Sequence, residues 1–213
     1  MPPCLGYGWL RPVAILPVKN LKRAKSRLST VMSGEGRKKL VLRLFLHAGC
    51  VCQTAGFQVF CLTSDKTVAE TSLRMGWRVL QDRFNDLNKA LTSVLKRFST
   101  VPLTIVLPDL PLLNRQSLET VSRLGRRHGC VICPDLKLSG TNVLYLGTAS
   151  FFKPMFGKHS FIRHLNQLQK SYPVKVLVTL ATAVDIDSPE DLLLLPRFSF
   201  SSPVHYEESC YKH

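Results

Sequence analysis

Short apolar runs alternate with longer amphipathic stretches along this chain. "PVAILPV", residues 12 to 18, is apolar throughout and reads as a strand buried on both faces. From residue 33 to residue 54, Leu40, Val41, Leu44, Phe45, Ala48 and Cys52 recur at the spacing of one helical face, with Ser33 as N-cap. "FQVFCLT" returns to strand character, a short helix is expected from Asp65 to Met75, and "WRVL" is a further strand. "LNKALTSVLKRF" sets Leu87, Leu91, Val94, Leu95 and Phe98 on one helical face. "PLTIVLP" has the uninterrupted apolar character of a strand inside a parallel sheet, and a helix through Leu118, Val121 and Leu124 follows it. "CVIC" and "NVLYL" are short strands on either side of a Gly-containing loop, a helix spans Phe161 to Lys170, and "VKVLV" is the last strand. In "DSPEDLLLL", Ser188, Pro189 and Asp191 stand as N-cap, first and third helical positions, the pattern of a capping box.

Strands and helices of these lengths in alternation predict an α/β sandwich with a mostly parallel sheet. A chain of 213 residues suits one such domain, expected over 12–196, with a short N-terminal extension at 1–11 and a C-terminal tail at 197–213 that carries no periodicity. There is no apolar run long enough to cross a bilayer, and residues 1 to 11 lack the features of a secretory signal, so the expected location is the cytoplasm. Seven cysteines, an odd number, do not read as a disulfide framework. Cys130 and Cys133 form a lone CxxC whose nearest companions, His128 and the distant Cys50 and Cys52, do not complete a zinc knuckle; they read better as buried strand residues.

Charge sharpens the picture. The chain has 29 Lys and Arg against 14 Asp and Glu, a net +15 that favours anionic partners. Nucleic acid, acidic lipid and phosphorylated small molecules all fit that charge; the basic stretches "KNLKRAKSR" and "GRRHG" contain no aromatic residues, which lowers the nucleic-acid reading without removing it.

In α/β sheets ligands sit beyond the carboxyl ends of the strands, so the residues that follow strands carry the candidate chemistry. After the first strand, Lys25, Ser26 and Arg27 can present charge and donors to phosphate, or stand as solvated charge together with Lys22 and Arg23. Asp109, at the tip of the most apolar strand, is either a ligand for a hard cation such as Mg²⁺ or a turn aspartate before Pro111. Asp185 and Asp187 alternate about Ile186, which puts both carboxylates on one face; such a pair is costly without a cation nearby. With Asp109 they would make a clamp for in-line displacement at phosphorus, although Asp187 also suits the start of the following helix. Gly140 and Gly157 permit close backbone approach, and Ser160 heads a helix whose free amides could bind an anion; Thr141 and Ser160 equally suit a turn and an N-cap.

Taken in order, "PVKNLKRAKSRL", "PDLPLL", "PD" followed by "GTN", "FG" followed by "SF", and "DIDSPEDL" closely resemble the guanylyltransferases of coenzyme F-420 biosynthesis, from Val13 to Leu195. The resemblance implies a single-domain, three-layer nucleotidyltransferase sandwich, Rossmann-like and GT-A-like. It implies transfer of GMP from GTP to 2-phospho-L-lactate, phosphoenolpyruvate or 3-phospho-D-glycerate, with release of pyrophosphate. Asp109, Asp185 and Asp187 would hold two Mg²⁺ ions, with Lys25, Arg27 and Asp109 as the catalytic set. Lys19, Lys25, Arg27 and Asn88 of "DLN" would bind the nucleotide, and Thr141, Gly157 and Ser160 the phospho-acid. The implied partners are GTP and the phospho-acid, with a homodimer compatible and no membrane.

Two departures from the family pattern stand out. Leu136, Lys137, Leu138 and Ser139 fill a loop where many relatives have Arg and further glycines, so Lys137 could replace that cation. Pro108 stands where a small residue often precedes the metal aspartate. Transferases that make sugar nucleotides or molybdopterin dinucleotides are a rival, but they open with a Gly-rich loop, and "LPVKNLKRAKSRL" contains no glycine. A non-catalytic nucleic-acid-binding protein on the same fold is the other alternative.

Overall fold

The computed structural model describes residues 11–21, 25–84 and 86–197. Most of the expected N-terminal extension, nearly all of the expected tail, and Lys22 and Arg23 of the basic loop lie outside the described residues.

Seven strands form one sheet in the order β3-β2-β1-β4-β6-β5-β7. They are β1 (Val13–Val18), β2 (Gln58–Thr63), β3 (Arg78–Gln81), β4 (Leu103–Val106), β5 (Cys130–Pro134), β6 (Thr141–Leu146) and β7 (Val174–Val176). β1 to β4 pair in parallel, β6 is antiparallel to both β4 and β5, and β7 is parallel to β5, so only β6 runs against the rest. The helices are α1 (Gly34–Thr54), α2 (Lys66–Arg74), α3 (Leu87–Leu95), α4 (Arg115–His128), α5 (Ser160–Leu168) and α6 (Leu180–Ala183). Their caps are local and legible: Ser33, Asp65 and Asp86 accept from backbone amides at the starts of α1, α2 and α3, and Asn114 closes a capping box on α4.

Strand alternation divides the core into two layers. Ala14, Leu16 and Val18 of β1 face a cluster with Phe45 and Ala48 of α1 and Leu118 and Val121 of α4. Val13 and Ile15 face the opposite cluster with Ala90, Leu91 and Val94 of α3 and Leu168 of α5. Gly49 lets α1 approach Trp77 closely, because a Cβ there would stand 2.1 Å from the indole ring. A third, smaller cluster joins Leu28, Leu40, Leu44 and Ile186, and it positions the site.

The sequence pattern and the structure part company in five elements. The expected helix over Phe161 to Lys170 is α5, ending at Leu168, and "VKVLV" forms only the short edge strand β7. The expected α-helix after Ser188 is a 3-10 helix, Glu190–Arg197, because Asp191 N and Leu192 N bond three residues back to Ser188 O and Pro189 O. Half of its capping box is present: the Asp191 carboxylate accepts from Asp187 N at 2.8 Å and Ser188 N at 2.7 Å. Two short elements are additional, the 3-10 turn Ser26–Thr30 and α6. Among the described residues no helix is long and apolar enough to cross a membrane.

Candidate active site

The parallel strands β1, β2, β3 and β4 finish at one edge of the sheet, where the register sets Val18 beside Thr63 and Thr63 beside Gln81. Three segments converge there. Asp109 follows β4. The segment Asp185–Asp187 is tied to it by Ile186 N donating to Asp109 O at 3.1 Å. The basic turn is drawn in by Leu28, fully buried against Leu40, Leu44 and Ile186. A leucine inside a run of charge thus anchors the cations to the acidic segment.

Lys25, in the left-handed conformation at φ 49°, is the N-cap of the turn. Its ammonium Nζ lies 2.7 Å from Asp109 Oδ2 and 2.6 Å from Asp187 Oδ1, with the side chain only 11% exposed. Arg27 reaches the same carboxylate of Asp187 at 3.9 Å but is 77% exposed. Burial pulls the Lys25 ammonium down, yet Asp109 and Asp187 outweigh it and hold the group well above the ordinary lysine range. Asp185 moves the other way for a carboxyl: burial first, then the charges of Asp109 and Asp187, push it up to about 7, only partly offset by Lys25.

Carboxylate oxygens of Asp109, Asp185 and Asp187 lie within 4.8 Å of one another. Asp109 Oδ1 is buried and accepts no hydrogen bond within the protein. Three hard oxygen donors, one of them an orphan and one driven toward its neutral form by burial and by its neighbours, fit a divalent cation such as Mg²⁺. Lys25 places a positive charge between two of them.

A cleft of about 640 Å³ opens beside this cluster. Lys19, Lys25, Arg27, Asp109 and Asp187 line one part, and Ser64, Asp82 and Phe84, beyond β2 and β3, line another. Its size is within the usual range for small-molecule sites.

The remaining expected site residues lie around the other side of β6. Thr141 begins that strand and is buried; its Oγ1 lies 3.0 Å from Nδ1 of the buried His164. Met155 N donates to Nε2 of the same ring at 2.9 Å, so Nδ1 carries the proton and donates to Thr141, leaving the threonine hydroxyl hydrogen to be given elsewhere. Burial and the Arg163 charge lower the imidazole to about 4, which keeps it neutral. Gly157 has φ +115° and open space where a side chain would stand. Ser160 starts α5, but its amide already donates to Gly157 O at 3.0 Å, and Phe161 N donates to Ser139 O at 3.1 Å, so two of the helix's first amides are engaged. Asn88 is not part of the cleft lining: its Oδ1 accepts from Phe156 N at 2.6 Å and its Nδ2 donates to Phe156 O at 3.1 Å, pinning the loop before Gly157.

Asp135 carries no signal by residue type, yet it shapes the loop between β5 and β6, accepting from Ser139 N and Gly140 N, both at 2.8 Å. The "PD…GTN" spacing is its one signal in the sequence. A side chain on Gly140 would meet Asp135 Oδ2 at 2.8 Å, which explains glycine there. Cys130 and Cys133 belong to opposite core clusters, three residues apart on β5, and cannot chelate one ion.

The model of the family described as "Guanylyl transferase CofC like" matches residues 12–196. A 2-phospho-L-lactate guanylyltransferase of Methanocaldococcus sp. (strain FS406-22) is 26% identical over 84% of this chain and 78% of its own length. A phosphoenolpyruvate guanylyltransferase of Sphaerobacter thermophilus is 32% identical over 84% of this chain and 90% of its own. Among solved structures, a protein of Desulfovibrio desulfuricans G20 provisionally assigned as a nucleotide-diphospho-sugar transferase superposes with a TM-score of 0.74 at 13% identity, covering 93% of this chain and 96% of that one.

Proposed function

The chain belongs to the CofC-like guanylyl transferases, and from that premise we propose that it transfers GMP from GTP to a small phospho-acid, 2-phospho-L-lactate or phosphoenolpyruvate, releasing pyrophosphate. The reading places the reaction in the cytoplasm, within coenzyme F-420 biosynthesis. The observation that carries it is the Lys25–Asp109–Asp187 contact, with Asp185 beside it, at the mouth of a cleft lined by further cations.

A phosphate oxygen of the acceptor attacks the α-phosphorus of GTP in line; the new P–O bond forms as the bond to the β-phosphate breaks, and pyrophosphate leaves with the electron pair. Two anions must meet, so positioning and charge stabilisation supply most of the catalysis, and no protein nucleophile is required. Asp109, Asp185 and Asp187 would hold Mg²⁺, in our reading two ions, which when bound neutralises charge on the reacting phosphates. Lys25 then exchanges its carboxylate partners for phosphate oxygens, and Lys19 and Arg27, both exposed on the cleft wall, face the triphosphate. Thr141, Gly157 and Ser160 receive the phospho-acid: His164 leaves the Thr141 hydroxyl as a donor, and Gly157 admits the ligand against the backbone. Asn88 acts on the same subsite by fixing Phe156.

The test is to supply the protein with GTP, Mg²⁺ and each phospho-acid in turn and to follow pyrophosphate. Release that depends on one acceptor and is lost in Asp109→Asn supports the reading; silence with 2-phospho-L-lactate, phosphoenolpyruvate and 3-phospho-D-glycerate overturns it.

A further inference from the structure

The cleft extends beyond the cations. Its far part is formed where β2 and β3 end, by Ser64, Asp82 and Phe84. Phe84 is 41% exposed on the cleft wall, so its ring presents an aromatic face to a flat partner. Asp82 is half-buried, with its backbone tied to the sheet by Asp82 N donating to Thr63 O at 2.9 Å. Its Oδ1 accepts from Phe84 N at 2.8 Å, which fixes the carboxylate against the backbone that carries the ring. No lysine or arginine of the described residues pairs with Asp82 among the ion pairs of the structure. Asp109 and Asp187, the other acids of the cleft, are paired with Lys25, whereas Asp82 has no such cation, and an acid in that state suits a ligand that donates hydrogens.

The distances suit the two ends of one nucleotide. β4, which carries Asp109, is three strands from β3, which leads to Asp82. At ~4.8 Å per strand this is roughly 14 Å, enough to set a nucleobase at one end and its α-phosphate at the other.

Resting on the proposed guanylyl transfer, we propose that Asp82 is the specificity-determining residue for the base, accepting from the N1–H and the 2-amino group of guanine, with Phe84 against the face of the ring. The Ser64 hydroxyl, exposed on the same wall, is the donor for the guanine O6 or N7 edge. Adenine fails this test because its N1 is an acceptor that would face a carboxylate, and a site built around one acceptor pair leaves it unpaired. Xanthine keeps N1–H but replaces the 2-amino group by a carbonyl oxygen, which a carboxylate repels and an amide side chain satisfies.

That difference supplies the test. Binding of GTP, XTP and ATP is measured by calorimetry on the full chain with Mg²⁺ and without acceptor, for the native protein, Asp82→Asn and Asp82→Ala, with melting temperature as the check on folding. The native protein is expected to prefer GTP to both others. Asp82→Asn loses ten- to a hundred-fold in GTP affinity and gains XTP, inverting the order, because the isosteric amide retains the acceptor for Phe84 N and adds a donor. Asp82→Ala loses GTP by a similar factor without gaining XTP. Unchanged GTP preference in Asp82→Asn, or equal binding of all three nucleotides by the native protein, overturns the proposal. Selective GTP binding with the expected inversion, but no pyrophosphate with any phospho-acid, would leave base reading standing and overturn the transferase reading instead.

Discussion

Replacing Asp185 by asparagine is expected to stabilise the metal-free protein, although it removes one of the three carboxylates proposed to hold the metal. The carboxyl is raised from its ordinary 3.8 to about 7, chiefly by burial and then by Asp109 and Asp187. At full coupling a rise of that size corresponds to about 4 kcal/mol. Asp185 is only partly buried, so solvent screening reduces the expected cost to about 2 kcal/mol. The sign follows from proton binding. Below about 3.8 the folded and unfolded states are both protonated and Asp185 contributes nothing. Between 3.8 and about 7 the folded state holds the extra proton, so stability falls as pH rises; above about 7 the whole cost is present. Asp185→Asn should therefore gain about 2 kcal/mol at pH 8, a melting temperature higher by about 4–8 °C, and less than about 1 kcal/mol at pH 5. The assay is calorimetric unfolding with chelator across this range, repeated with Mg²⁺, which should stabilise the native protein more than the variant. A variant that is less stable at pH 8, or a gain independent of pH, would refute the view that Asp185 is held under charge strain awaiting a cation.

The same reasoning gives three further expectations. Lys25→Met should destabilise the metal-free protein by about 3 kcal/mol at pH 7, since it strands Asp109 and Asp187, and Mg²⁺ should recover most of that loss in thermal unfolding. The Lys25 contribution should hold from neutral pH up to the ordinary lysine range and be lost only above it, because its folded-state value is raised by Asp109 and Asp187. Asn88→Ala should release Phe156 and raise the acceptor KM about ten-fold while moving the GTP KM little, as steady-state kinetics would register. Cys130 and Cys133, buried and pushed up to about 11 and about 12, should resist alkylation at pH 8 until the chain unfolds; prompt labelling would contradict their placement in the core.

Much of this fold is written in periodicity. Val13–Val18 is apolar without a break, and Leu103–Val106 is interrupted only by the buried Thr104, because both faces are covered, and α1, α3 and α4 show their buried stripes plainly. The insertion of β6 between β4 and β5 against the sheet direction is not written there, because strand direction and order depend on pairing rather than on local pattern. The acidic triad was legible from Asp185 and Asp187 flanking Ile186 and from Asp109 at a strand tip. The role of Leu28 was hidden: one buried leucine within a basic run has no periodic signal, yet it carries Lys25 to Asp109. His164 and Asn88 were likewise opaque, since their partners Thr141, Met155 and Phe156 are joined to them only by the folded chain.

Product analysis tests the central claim most directly. Phosphorus NMR of a reaction holding GTP, Mg²⁺ and one phospho-acid should show pyrophosphate and a new diphosphate joining the GMP phosphorus to the acid's phosphate, in equal amounts, and neither when the acceptor is withheld or Asp109 is replaced by asparagine. Pyrophosphate formed at the same rate without acceptor, or GTP cleaved to GDP and inorganic phosphate, would contradict it.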